Sequence, residues 1–217
     1  MQNLKDWLEL IYFISGPAVA VIAFFALGQI RIAKEQLEAQ RQTLRISSKR
    51  DALRLTADQI SEYSSKVIPL LNALDKKIKD EQITYFSKFK VEVCADSIKV
   101  SPLNTDADIK ETIKVASEIA SASNALEAFS SYFVSGVADE KMAYLSLGTT
   151  FCNSVRNLAP LLVQLNANNR RSPAMLNLFT IWSCRLESEA LNKQKKEIED
   201  KLKNNGSVTI KTVGADT

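Results

Sequence analysis

The 21 positions from Leu10 to Ile30 carry no Asp, Glu, Lys or Arg. A helix of that length rises about 31 Å, close to the hydrocarbon thickness of a bilayer. The run therefore limits the chain to three designs: a cleaved signal peptide, a membrane span, or a helix buried in an oligomer. Ala26-Leu27-Gly28 has the small-x-small look of a cleavage site. However, Lys5 is offset by Asp6 and Glu9, the apolar stretch is long for a signal peptide, and the positive charge comes after it. Arg31, Lys34, Arg41, Arg45, Lys49 and Arg50 follow the run, while Trp7 and Tyr12 stand near its outer end. The positive-inside rule then predicts a single-pass protein of the bacterial inner membrane. Residues 1–9 form a short extracytoplasmic tail, residues 10–30 the span, and everything beyond is cytoplasmic. Gly16-Pro17 within the span is tolerable, since membrane helices accommodate such pairs.

Past the span no turn signal interrupts the helical pattern, and a long membrane-proximal helix over 31–80 is predicted. Ile30, Leu37 and Leu44 repeat at seven. The register then shifts near Ser47-Ser48, and Ile46, Leu53, Ile60, Val67 and Leu74 repeat at seven, with Ala57, Ser64, Leu71 and Ile78 as a companion seam. Spacings of three and four mark a face that packs on other helices. Pro69 is expected to kink or restart this helix.

Residues 81–203 read as a helical domain. Scarce Gly (6) and Pro (5) favour helices over an all-β fold. Alternation in Phe89–Val93 and again in Ile98–Ser101 predicts a small β-hairpin at about 88–101, turning through 94–97. Thr105 or Asp106 is expected to cap the next helix, from about 108 to 135. Its apolar stripe is Ile109, Ile113, Ala116, Ile119, Ala120, Ser123, Leu126, Phe129 and Phe133, and Gly136 ends it. Asp139 caps another helix, which buries Leu145, Gly148, Phe151, Cys152, Val155, Ala159 and Leu162 and is kinked or split at Pro160. Residues 166–171 read as a polar loop. Ser172-Pro173 starts a final helix to about 203, apolar along Met175, Phe179, Trp182 and Leu186 and highly charged afterwards. A flexible tail over 204–217 completes the expectation: a mainly α protein with one transmembrane helix, a long helix, and a bundle carrying an inserted hairpin.

Several chemistries drop out. The chain has no histidine, which excludes imidazole triads and ligands. Cys94, Cys152 and Cys184 are scattered, without a CxxC pair, and read as reduced, buried thiols. A net charge of +3 does not point to a nucleic-acid partner. Phosphate loops of the GxxxxGK type, nucleophile elbows and dinucleotide fingerprints are absent from the sequence. Nothing here calls for a cofactor, a metal or a catalytic residue, and helix capping accounts for Asp139-Glu140. Two candidate sites remain. Glu127 lies beside an apolar stripe, so its carboxylate should need a cation, with Arg156, Arg170 or Arg171 as the source. Arg170-Arg171 also precede a helix start, where free N–H groups suit a phosphate.

NALEAF (124–129), GVADE (136–140), GTTFC (148–152), Pro160 and NRR (169–171) together resemble a bacterial family of unknown function. Its members look like an amino-terminal membrane helix leading to a cytoplasmic helical domain. The resemblance covers roughly Leu55 to Glu187 and departs from the family pattern at Asn157 and Leu158, where aromatics are frequent. It implies no settled activity, and only its architecture is shared with components of anti-phage defence.

The functional expectation is a membrane-anchored, non-enzymatic interaction or oligomerisation module, a sensor or effector in stress or phage defence. Its partners are the bilayer and a second copy or another protein. Leu53, Ile60, Val67, Ile198 and Leu202 are the candidate packing or assembly residues. A pore-forming, depolarising effector is the alternative, with small residues from Ser15 to Ala26 allowing close helix contact. A nucleotide- or phosphate-binding domain is the third reading.

Overall fold

The computed structural model describes residues 2–94, 97–103, 109–169 and 173–204. The chain is mainly α-helical with one two-stranded sheet. It divides into two compact units, Met1–Asp51 and Ala52–Thr217.

The first unit is helix throughout its described length, the beginning of α1 (Gln2–Glu62). Its described side chains from Lys5 to Asp51 are exposed, apart from a half-buried Ser47. Pro17 lies inside the helix without ending it. Leu37 is 49% exposed, Leu44 69% and Ile46 71%. The stripe at Ile30, Leu37 and Leu44 thus lies on a continuous helix and has no cover within the unit.

The second unit holds the core. After Glu62 the chain makes a π-helical turn, Tyr63–Val67, and continues as α2 (Ile68–Asp80). Pro69 explains the wider turn: it has no N–H to give. The helix is neither broken nor restarted. The Ile68 N–H reaches back to the Tyr63 carbonyl, and the Ser64 and Ser65 hydroxyls donate to the carbonyls of Ile60 and Ser61 at 3.0 and 2.9 Å. The inserted residue moves the buried face. Thr56, Gln59, Tyr63, Val67 and Leu74 point inward, Ile60 is half-buried against the core, and Leu53 is half-buried. The expected seven-residue seam therefore holds at Val67 and Leu74 and weakens toward Ile46. Tyr63, absent from that seam, is fully buried against Phe129, with ring centroids 4.8 Å apart.

A 3-10 turn (Tyr85–Lys88) leads into β1 (Phe89–Cys94), which pairs antiparallel with β2 (Ser97–Pro102). Val91 stands opposite Val100, Val93 opposite Ile98, and Glu92 opposite Lys99. Opposite charges on one face and apolar residues on the other fix this register. Phe89, Val93 and Ile98 rest on the helical core, which gives a lone hairpin the support it needs.

Residues 109–115 form a 3-10 helix rather than the start of an α-helix. Its period of three, not 3.6, buries Thr112 and Val115 and turns Ile113 outward, 71% exposed, while Ile109 at its start is 45% exposed. Helix α3 (Ala116–Val134) then buries Ile119, Ala122, Ser123, Leu126, Phe129, Ser130 and Phe133, while Ala116 and Ala120 are exposed. Gly136 follows at φ +74°, the left-handed conformation expected of a helix-ending glycine. Helix α4 (Glu140–Asn169) runs unsplit through Pro160 and includes residues expected in a loop, 166–169. Leu145 is 74% exposed, and Ala143, Tyr144 and Leu147 are buried in its place. Helix α5 (Pro173–Asn204) begins at the expected proline. Its first half packs on α3 and α4 through Met175, Phe179 and Trp182, while residues 187–203 are exposed. The expected caps at Thr105, Asp106 and Ser172 and the tail 205–217 lie outside the described residues.

Candidate functional site

Glu127 projects from α3 toward the start of α5. Its two carboxylate oxygens accept the Ala174 N–H at 3.1 Å and the Met175 N–H at 2.7 Å. Pro173 brings no N–H, so these are the first free donors of that helix. A negative charge here also meets the positive end of the helix dipole. Glu127 thus meets the N-terminus of a helix. Arg156 is exposed on α4, and no ion pair joins it to Glu127 among the described residues. Arg170 and Arg171 lie outside the described residues. The anion seat predicted for a phosphate at this helix start is occupied by the protein's own carboxylate.

A second constellation was not evident from the sequence. Asp139 caps α4 as expected, its side chain accepting the Met142 N–H at 2.9 Å, while its own N–H donates to buried Thr56 Oγ1 at 2.7 Å. The next residue, Glu140, takes a two-pronged ion pair from Arg185, at 2.9 and 3.2 Å, and also accepts Trp182 Nε1–H. The Arg185 guanidinium stands 4.4 Å from the Tyr144 ring centroid. Trp182 is fully buried, with the rings of Phe151, Tyr144, Phe133 and Phe129 at 5.1, 5.8, 6.2 and 6.4 Å. Burial pushes the Tyr144 and Tyr63 phenols up to about 12. Gly148 makes room for Tyr144: a Cβ there would stand 2.8 Å from the ring. Trp182 and Arg185 lie 42 and 45 positions from Glu140, so no local spacing announces their meeting.

These polar groups are used in holding helices together. A nucleophile would need an activating base and a seat for the developing charge. The Cys152 thiol is 1% exposed and raised by burial, which disfavours the reactive thiolate. Cys184 is a free, half-buried thiol. Among the described residues no group of three or more Cys, Asp or Glu is placed to hold a metal.

Open grooves also line the surface of the described residues. One, about 390 Å³, is lined by Leu71, Asn72, Asp75, Phe86, Asn157 and Leu158. Another, about 610 Å³, lies among β1, α4 and α5, with Arg156, Ser183 and Glu187 on its walls. Neither contains a paired nucleophile and base.

The least satisfied surface lies in the first unit. Among the described residues, one helix near the N-terminus is long and apolar enough to cross a membrane. Its most apolar stretch has a mean hydropathy of 2.3, and none of that stretch is buried within the structure. Comparison with protein families, curated proteins and solved structures found no match to this chain.

Proposed function

We propose that the protein is a membrane-anchored, non-enzymatic interaction module that self-associates through its juxtamembrane helix. The observation that carries this reading is the continuous exposed helix of the first unit. Its uncharged run needs an apolar phase, and the stripe at Ile30, Leu37 and Leu44 beyond it needs a helical partner. The charges on either side of the run favour a single-pass inner-membrane topology with the second unit in the cytoplasm. A role as sensor or effector in stress or phage defence rests on an analogy of architecture alone. Occupation of the α5 N-terminus by Glu127 weighs against the phosphate-binding reading.

The test is the size of the full chain in mild detergent, with and without Leu37→Glu and Leu44→Glu. An oligomer that dissociates in the double variant supports the proposal. A monomeric parent chain refutes self-association. The pore-forming reading is favoured by the small residues on this exposed helix, Gly16 among them, which has open space around it. Membrane potential in expressing cells decides it: depolarisation lost when residues 10–30 are exchanged for an unrelated span would make the span itself the effector.

A further inference from the structure

We infer that the free edge of β1 receives a third strand, residues 207–213 of a second copy of this chain. The inference goes beyond the juxtamembrane seam proposed above and concerns a different surface. Among the described residues β1 pairs with β2 alone. The Leu103 N–H donates to the Lys88 carbonyl at 2.7 Å, and the register sets Lys90 opposite Ser101 and Glu92 opposite Lys99. Hydrogen-bonded and non-bonded pairs alternate along an antiparallel ladder, so the N–H and C=O groups of Lys90 and Glu92 turn toward β2. Those of Val91 and Val93 turn the other way, and no hydrogen bond among the described residues reaches them. Such a row of unpaired donors and acceptors is a template for another strand. It borders the groove of about 610 Å³, which has Val91 and Val93 of β1 on one side and Leu186 and Glu187 of α5 on the other. An extended backbone is the ligand that matches the edge, and the groove beside it gives side chains a seat.

The sequence beyond α5 supplies a matching segment. SVTIKTV (207–213) is rich in β-branched residues, contains no proline and is bounded by Gly206 and Gly214. Alternation sets Val208, Ile210 and Thr212 on one face and Ser207, Thr209 and Lys211 on the other. With the first face toward Val91, Val93 and Leu186, Lys211 shares the opposite face with Glu92, a complementary charge. Reach decides which copy donates the strand. From Glu187 at the groove to its end at Asn204, α5 rises about 25 Å. An extended chain from Asn204 to Ile210 covers at most about 22 Å, so the centre of the segment cannot return to the groove of its own chain.

The experiment measures binding of a fluorescent peptide of residues 205–215 to the full chain in mild detergent. Ile210→Pro in the protein disables its own segment and leaves the edge open to the peptide. Saturable binding is expected. It should be lost when the peptide is methylated at the backbone nitrogens of Thr209 and Ile210, one of which must face β1. Val91→Pro, which deletes an outward N–H and no hairpin bond, should also abolish binding with the unfolding midpoint of the bundle unchanged. Should that midpoint fall, the methylated peptide decides, because it leaves the protein untouched. Unlabelled chain carrying Val91→Pro with an intact tail should displace the peptide, since its segment must act across copies. Absence of saturable binding overturns the inference. So does binding that survives methylation or survives Val91→Pro in a folded bundle, and so does failure of the unlabelled chain to compete. None of these results touches the juxtamembrane seam, which stands or falls with the sizing of Leu37→Glu and Leu44→Glu.

Discussion

Residues 5–51 and the bundle from Ala52 onward are both helical and both rich in apolar side chains, yet they treat those side chains in opposite ways. In the bundle Trp182, Phe151 and Phe179 are essentially removed from solvent. In the first unit Phe24 and Phe25 are 77% and 67% exposed. Burial of apolar area is the main favourable term in folding, so the bundle satisfies its own chemistry. The first unit leaves its apolar side chains uncovered within the structure. The comparison teaches that hydrophobicity along this chain is used in two ways, and that only the bundle covers its own apolar side chains.

The largest expected effect tests that separation directly. Ile22→Asp with Phe25→Asp places two carboxylates in the uncharged run, at about 2.5–3.5 kcal/mol each for membrane insertion. The membrane-associated fraction after alkaline extraction should fall sharply, while the unfolding midpoint of the bundle stays unchanged. A shifted midpoint would mean the two regions are not energetically separate.

Trp182→Ala should do the reverse. Emptying the centre of the aromatic cluster is expected to cost about 3–5 kcal/mol of bundle stability, read by denaturant unfolding, with membrane association intact.

Alkaline pH offers a third contrast. Tyr63 and Tyr144 titrate near 10 when unfolded and at about 12 when folded, because burial disfavours the phenolate. Their contribution is fully present below pH 10 and is lost as pH rises from 10 toward 12. Bundle stability should therefore fall in that window. Tyr63→Phe should flatten the fall, and an unaltered profile in that variant would show that its hydroxyl does not drive the loss.

Glu127→Ala leaves the Ala174 and Met175 N–H groups uncapped and should cost about 1–3 kcal/mol. Normal stability with loss of biological activity would instead make Glu127 a functional carboxylate. The smallest effect is a gain. Gln82 sits at φ 52° just past α2, where glycine carries no steric cost. Gln82→Gly should add about 0.5–1 kcal/mol to the bundle and nothing to membrane association.

What could be read from the sequence was local in origin. Pro173 and Asp139 mark helix starts through donors and caps within a few residues, and Gly136 marks a helix end through its tolerance of positive φ. The hairpin follows from alternation and a short turn. What was missed depended on distant partners or on a change of helical period. Ile113 is exposed because its segment winds as a 3-10 helix. Tyr63 is buried because a π turn before Pro69 rotates it onto Phe129. The candidate site behaved similarly: the residue was legible and its partner was not. A carboxylate beside an apolar stripe can be spotted at Glu127, but whether an arginine or a helix end neutralises it depends on where α5 begins in space.

By itself, then, the sequence determined the uncharged run, the helix starts at Asp139 and Pro173, the helix end at Gly136 and the hairpin, because these follow from side chains and backbone within a turn or two of each other. Only the tertiary structure decided that Glu127 serves a helix N-terminus, that Glu140 joins Arg185 and Trp182, and that Leu145 faces out while Leu147 faces in. Those outcomes depend on which helices meet and at what rotation, and the free energy of that choice belongs to packing between elements distant in the chain.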